Sequence, residues 1–391
     1  MAGRTSPVSR ALGAALGVLL VMGVLNPATG RAASKVTSTP LSPLARHYSA
    51  NDPFPFGTPI GAPLRGHTDG VSAVAIGKRS DGTAVIVSGG FDKTVRVWSL
   101  ATGKPIGRPI KGHTRPIYDV AIGKRSNGTP VIVSTGEDGT VRIWNLNTGK
   151  PLGKPLKSGH HIVHAVATGR RDDGTPVIIS SGEGHIRAAV HIWNLDTGKL
   201  IGSPIRGHYS GVMDIEVAKR GDGTPIFITG STDGRVRVWN LNTGKPIGKS
   251  LIGCEICQVD AVTATKRRDG TPVIVSTDMP GFPLGEDTTA SVRVWNLNTG
   301  KPIDEPLTGP GSVISAVVGA KRSDGVPILL SGGDDYNVSV RSPDTGQPLG
   351  GPFTGHTDVI TGLATGRRKD GTPIVVSSSL DKTIRLWSLS S

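Results

Sequence analysis

The sequence predicts an all-β fold, a seven-bladed β-propeller of four-stranded blades closed by its own N-terminal strand, and three observations carry that expectation. All 6 tryptophans fall in one repeated phrase: Val-Arg-Val-Trp98, Val-Arg-Ile-Trp144, Val-His-Ile-Trp193, Val-Arg-Val-Trp239, Val-Arg-Val-Trp295 and Ile-Arg-Leu-Trp387. The first five copies lie 46 to 56 residues apart, a period that marks propeller blades or solenoid units. A degenerate seventh copy, Val338-Ser339-Val340-Arg341, puts arginine where tryptophan would fall. With 55 Gly, 29 Pro and 4% aromatics between recurring Val, Ile and Thr runs, the composition is that of many short strands. Finally, Gly57-Thr58-Pro59-Ile60-Gly61-Ala62-Pro63-Leu64 copies the last strand of other units, although no first three strands precede it.

In chain order, Arg4 and Arg10 come first, then an apolar run from Ala11 to Leu25, then small residues at Ala28, Gly30, Ala32 and Ala33. That is the order of a secretory signal peptide over residues 1–33, with a membrane anchor as the alternative. The run of 15 residues is short of the ~20 a spanning helix needs, which favours export and cleavage. No cysteine follows it, which argues against a lipid-modified terminus. Residues 34–53, rich in Ser, Thr and Pro, read as a linker. Residues 54–391 then make one domain, because blades sharing a circular core escape the usual length per domain. The expected location is outside the cell, free or, on the alternative, anchored to the outer side of the membrane.

Each unit reads Gly-His, a strand, a Lys-Arg-x-Asp-Gly-Thr turn, a strand such as Pro130 to Ser134, a tight Asp turn, the Trp strand, then Asn-Thr-Gly-Lys-Pro-Ile-Gly. That is four strands, or one blade. An open row of blades would leave unpaired edges, which invite aggregation. Because the chain stops after a third strand at Leu389, the stretch from Phe54 to Leu64 is expected to complete the last blade.

Ser or Thr, His and Asp recur with the tryptophan, and on these motifs the chain resembles the WD40-repeat family, of the exported bacterial type, over residues 54–391. The resemblance implies that the Gly-His histidine, a strand hydroxyl, the turn Asp and the Trp form one hydrogen-bonded chain per blade. Carried over by motif, the sets are His67, Ser88, Asp92, Trp98; His113, Ser134, Asp138, Trp144; His208, Thr229, Asp233, Trp239; and His356, Ser377, Asp381, Trp387. An indole N–H can donate to the hydroxyl, the hydroxyl to imidazole, and the other imidazole N–H to carboxylate. The competing reading is a Ser-His-Asp nucleophile. An enzyme needs one such group, whereas four near-identical sets argue for a structural staple. The residue after Trp is Asn or Ser, not the family's Asp, in all 6 copies.

Three blades depart further. The third keeps His160 and Ser180 but lengthens the turn with Glu183 to Ala189; the fifth has Cys254 in the histidine slot and an insertion from Asp278 to Ala290; the sixth has Pro310 for His and Arg341 for Trp. These blades are expected to form the softer arc of the ring. Cys254 and Cys257 are the only cysteines. A redox motif would open a helix in a βαβ unit, which this pattern lacks. In an exported chain a local disulfide is the expectation, with buried thiols as the alternative.

The two faces carry different chemistry. First-to-second strand turns hold paired cations, Lys78-Arg79, Lys124-Arg125, Arg170-Arg171, Lys219-Arg220, Lys266-Arg267, Lys321-Arg322 and Arg367-Arg368, joined by Arg268 and Lys369. With Lys104, Lys150, Lys199, Lys245 and Lys301 of the third-to-fourth strand turns, nearly half of the chain's 44 cations are expected on one face, on a formal net charge of +14. Such a face could attract polyanions, or be inherited with the repeat and bind nothing. Anionic envelope polymers fit it better than nucleic acid, since no aromatic residues interleave for base stacking.

The opposite face varies from blade to blade. By resemblance to the family, partner contacts come from the start of the first strand and the residue before the turn Asp. Those positions hold Ser72, Tyr118, His164, Met213, Asp260, Ser315 and Thr361, and Phe91, Glu137, Thr232, Asp334 and Leu380. Phe282 and Leu284, in the blade-five insertion, either anchor a partner or fold back onto the ring. The leading reading is therefore a monomeric, non-catalytic scaffold that binds a protein or peptide on its variable face. A binding module for anionic polymers is the alternative. A propeller hydrolase would need carboxylates or metal ligands converging at the channel mouth, and Asp260, His164 and Glu137 are scattered hints only. No cofactor or metal is implied.

Overall fold

The computed structural model describes residues 56–159, 161–182, 188–253, 257–279, 290–308 and 313–390. The apolar runs between Gly and Asp turns become short antiparallel strands, grouped as seven blades around a central channel. Blade one consists of Val71–Lys78, Ala84–Gly90, Thr94–Ser99 and Ile110–Lys111, paired in that order outward from the channel. Blades two to seven begin at Ile117, Val166, Val212, Val262, Ile314 and Ile360. The innermost strands touch all the way round, and Val71–Lys78 meets both Ile117–Lys124 and Ile360–Arg367, so the ring is closed.

Second strands are sandwiched between neighbouring blades, and Pro130–Gly136 is buried at every position. This explains why they read as unbroken Val and Ile runs rather than alternating ones. The core lies between blades. Val71, Ile86 and Trp98 of blade one, for example, pack with Ile374, Val376 and Ile384 of blade seven. Each blade therefore buries its apolar surface only against its neighbours.

Closure uses the N-terminal segment. Leu64 and Arg65 pair with Ile384 and Thr383 of the last Trp strand, and Pro59 bridges Trp387. The Gly57 amide donates to the Ser388 carbonyl at 2.9 Å, Ile60 to Leu386 at 2.8 Å, and Ser388 to Thr58 at 2.9 Å. Ile60 and Leu64 join the core between blades seven and one. Phe54 and Pro55, at the start of the expected strand, lie outside the described residues.

The blades are not identical. In blade six the fourth strand shrinks to bridges between Val338 and Phe353 and between Arg341 and Pro348. The buried aromatic there is Phe353, with ring centroids 5.4 Å from Phe56 and 5.8 Å from Trp387. In blades three and five the innermost strand is 5 residues long, against 8 in blade one. Both lack the bulge that begins the inner strand elsewhere, as between Val71 and Ala73.

Candidate functional site

The hydroxyl, imidazole, carboxylate and indole groups meet within four blades. In blade one Trp98 donates to Ser88 Oγ at 2.9 Å, His67 Nε2 lies 2.8 Å from the same oxygen, and His67 Nδ1 is 2.9 Å from Asp92. The corresponding distances are 2.9, 2.8 and 3.0 Å for Trp144, Ser134, His113 and Asp138. They are 2.9, 2.7 and 3.0 Å for Trp239, Thr229, His208 and Asp233, and 2.9, 2.8 and 2.7 Å for Trp387, Ser377, His356 and Asp381. Ser88, Ser134, Thr229 and Ser377 are all 0% exposed. A hydroxyl that accepts an indole proton in a closed core cannot meet a substrate, so these sets are staples. Burial alone would raise Asp92, but bonds from His67, Thr94 and the Thr68 amide outweigh it and hold the carboxyl down at about 2.

The incomplete blades keep part of the network. Trp193 donates to Ser180, and Trp295 to Ser276, each at 2.9 Å. His160, Cys254 and Pro310, the residues in the histidine slots, lie outside the described residues. Cys257 is disulfide-bonded. In blade five the arginine of the Trp phrase, Arg293, forms a close ion pair with Asp278. The Asn after Trp caps the outer turn, as where Asn145 Oδ1 accepts the amides of Asn147 and Thr148 at 2.9 and 3.1 Å.

The two cations of each pair differ in exposure. In each cation pair the first residue, Lys78, Lys124, Arg170, Lys219, Lys266, Lys321 or Arg367, is exposed, while the second, Arg79, Arg125, Arg171, Arg220, Arg267, Arg322 or Arg368, is half-buried. The second cation turns toward the next blade. Arg79 donates to the Asn147 carbonyl at 2.6 Å and Arg220 to the Asn298 carbonyl at 3.2 Å, and Arg267 closely contacts the Asp344 carbonyl. The turn between strands must lie under the neighbour's outer turn to close the ring, so one of two adjacent cations becomes a strut. The turn Asp is local too, since Asp81 accepts the Thr83 amide at 2.9 Å. Asn127 accepts Thr129 equivalently at 3.0 Å.

On the other face, the seven first-strand positions Ser72, Tyr118, His164, Met213, Asp260, Ser315 and Thr361 converge as one ring around a cavity of about 180 Å³ at the channel mouth. Phe91, Tyr118, Ile162 and Leu380 pack into a small apolar arc beside it. Tyr118 stacks on His164 with centroids 5.3 Å apart and meets the edge of Phe91 at 6.2 Å. Phe91 and Tyr118 are therefore largely buried rather than projecting anchors. Glu137 pairs with exposed Arg115 at 3.2 Å, and Asp334 accepts the Val313 amide at 3.1 Å. Phe282 and Leu284 lie outside the described residues.

Three carboxylates line the cavity. Asp119 is pushed up to about 7, first by burial and then by Asp214, against bonds from the Val166 and Val120 amides. Burial raises Asp214 to about 6. Asp260 goes to about 7, through burial and the charge of Asp214. Two exposed aromatics of this face are not among the sequence candidates: Tyr209, 65% exposed, and Tyr336, 42% exposed. Each nonetheless leaves a mark in the sequence. Tyr209 follows Gly-His where three other blades have Thr68, Thr114 and Thr357. Tyr336 takes the positive-φ turn position (φ 62°) that holds Gly139 and Gly234 elsewhere, a conformation uncommon for a bulky residue.

Seven blades in a closed ring, four of them stapled by a complete buried Trp network, define a repeat β-propeller. The family model "WD domain, G-beta repeat" matches residues 57–99, 103–145, 198–240 and 346–388. The chain belongs to the WD40-repeat family, whose propellers commonly serve as protein-interaction scaffolds. The matches fall on blades one, two, four and seven, those with complete networks, and each span runs from one outer strand through the next Trp strand. No curated protein matches the chain.

Proposed function

We propose that the protein is an exported, non-catalytic scaffold that takes a protein or peptide partner on the face bearing the channel mouth. One observation carries this reading: side chains at equivalent positions repeat on the basic face and diverge on the opposite one. There, exposed Tyr209 lies under Arg235 at 5.5 Å, Tyr336 projects from blade six, and the channel ring has a different chemistry in almost every blade. Tyrosine and arginine are the residue types that anchor interfaces. The N-terminal 33 residues support export, and their alternative role as an anchor would hold the protein on the outer side of the membrane.

The exposed ring of first-position cations favours a second reading, an anionic polymer on the basic face. Immobilised full-length protein challenged with secreted proteins and envelope polymers over a salt series separates the two. Capture that survives salt and fails in Tyr209→Ala and Tyr336→Ala supports the scaffold. Capture that vanishes steeply with salt and fails in Lys78→Glu, Lys124→Glu and Lys219→Glu supports the polymer module.

A further inference from the structure

The channel mouth is acidic on a chain whose formal net charge is +14. Asp119, Asp214 and Asp260 line it together with His164, and no Lys or Arg is among its described lining residues. Two of these carboxylates are employed. Asp119 accepts the Val120 and Val166 amides at 2.7 and 2.8 Å, and Asp214 accepts Ile215 and Val262 at 2.8 and 2.8 Å.

Asp260 differs from both. It is 8% exposed, and among the described residues neither carboxylate oxygen has a hydrogen-bond partner. Ser72 Oγ, on the same wall, is likewise buried without one. Buried polar groups in folded proteins are nearly always satisfied, so a buried carboxylate without donors points to a role beyond packing. The ring scaffold does not require it, since the same position holds Ser, Tyr, His, Met or Thr in other blades.

The occupant that answers these features is slender, positively charged and rich in N–H donors. At about 180 Å³ the cavity falls below the ~300–1,000 Å³ of small-molecule pockets, so it suits the tip of a side chain rather than a whole ligand. Among the described residues no three His, Cys, Asp or Glu side chains converge as a metal ion would require. The stacked Tyr118 and His164 rings supply an aromatic wall that a cation can approach.

We propose that the channel mouth is a socket for one ammonium or guanidinium group presented by a peptide, with the Asp260 carboxylate as acceptor and the Tyr118 ring as its flank. This rests on the reading that the partner docks on this face. The cation would replace the donors that Asp260 lacks and offset its repulsion from Asp214. The groups facing Asp260 across the channel are Asp214, Asp119 and His164. Since Asp260 titrates at about 7, a cation bound to its ionised form should bind more tightly as pH rises from 6 to 8.

Titration calorimetry on the full chain tests the socket, with N-acetyl-lysine methylamide, N-acetyl-arginine methylamide and neutral N-acetyl-norleucine methylamide as probes. The expected result is saturable binding of a cationic probe, at least tenfold tighter than norleucine, weaker at pH 6 than at pH 8, and at least tenfold weaker in Asp260→Asn. Lys154→Gln, an exposed residue outside the cavity lining, should bind as wild type. Which cationic probe binds distinguishes ammonium from guanidinium. Wild-type protein that does not separate the cationic probes from norleucine overturns the proposal, whatever Asp260→Asn does to folding. So does unchanged binding in a folded Asp260→Asn. A chain that ignores all three probes yet captures a protein through Tyr209 sinks the socket and leaves the scaffold standing.

Discussion

The carboxylate of Asp119 crosses a blade boundary to accept the amide of Val166 at 2.8 Å, and Asp214 does the same for Val262 at 2.8 Å. The two acceptors sit in blades two and four, and the two amides begin the short inner strands of blades three and five. An amide left unpaired where a strand starts late must find a partner, and the preceding blade provides it. Asp119→Ala should therefore cost about 1–3 kcal/mol, the penalty of stranding buried donors. Asp119→Asn, which retains one acceptor oxygen, should cost less. Urea unfolding of both variants checks the order, and equal losses would contradict it.

The staples give a second expectation. Ser88→Ala removes the oxygen shared by the Trp98 indole and His67, leaving the indole N–H and His67 Nε2 buried and unpaired, so it should destabilise by about 2–3 kcal/mol. Trp98→Phe should cost at least as much, through lost volume and contacts as well as the lost bond. Thermal unfolding of the single and double variants would show strong non-additivity, because both substitutions break one network.

The blade count, the closing strand and the four staples were legible in the sequence because each is a local phrase repeated at fixed spacing. What one copy obscured, another spelled out. The split of the basic pairs was not legible, since Lys78 and Arg79 are adjacent and alike in charge. Only the position of the neighbouring Asn147 turn decides which one is half-buried. The channel site was half visible. Asp260, Tyr118 and His164 each stand at a candidate position, but their meeting in one ring depends on closure of the circle, which brings together residues from blades two, three and five. Tyr209 and Tyr336 stayed hidden because the repeat pattern draws out positions common to all blades, whereas these two matter by departing from the common residue.

The split predicts a clean contrast. Arg79→Ala removes a strut to the Asn147 carbonyl and should lower stability by about 1 kcal/mol, while Lys78→Ala, whose side chain is exposed, should leave the unfolding midpoint unchanged. If polyanion binding occurs, the order reverses: loss of Lys78 should weaken it more than loss of Arg79. Denaturant curves alongside a salt-dependent binding series would expose any departure from this crossing pattern.

Deleting residues 54–64 should open the ring. The Trp387 strand loses its outer partner, and Ile60 and Leu64 leave the core between blades seven and one. An exposed edge strand recruits other chains. Light scattering after size exclusion should show aggregates or swapped oligomers. A deletion variant that runs as a folded monomer would mean that the ring closes without this strand.

Stability should peak on the acid side of neutrality, because two sets of carboxylates pull in opposite directions. Asp119 is raised to about 7, Asp214 to about 6, Glu216 to about 8 and Asp260 to about 7, from ordinary values of 3.8 for Asp and 4.5 for Glu. Burial is the first cause in each. Between those ordinary values and the raised ones the native chain holds protons that the unfolded chain has released. Folding stability therefore falls as pH rises from about 4 to about 8. Asp92, held down at about 2 against burial by His67 and the Thr94 and Thr68 bonds, acts in the reverse sense. Its contribution is full above the unfolded value and is lost as pH drops toward 2. Together they place the maximum near pH 4–5. Asp260→Asn removes one raised carboxyl without creating a cavity, so the difference in stability between pH 5 and pH 8 should shrink by roughly 2–3 kcal/mol. At pH 8 that variant should be the more stable protein. Thermal unfolding from pH 3 to pH 9 reads both effects, and a wild-type curve that climbs steadily to pH 8 would show that the channel carboxylates are ionised and satisfied in the native ring.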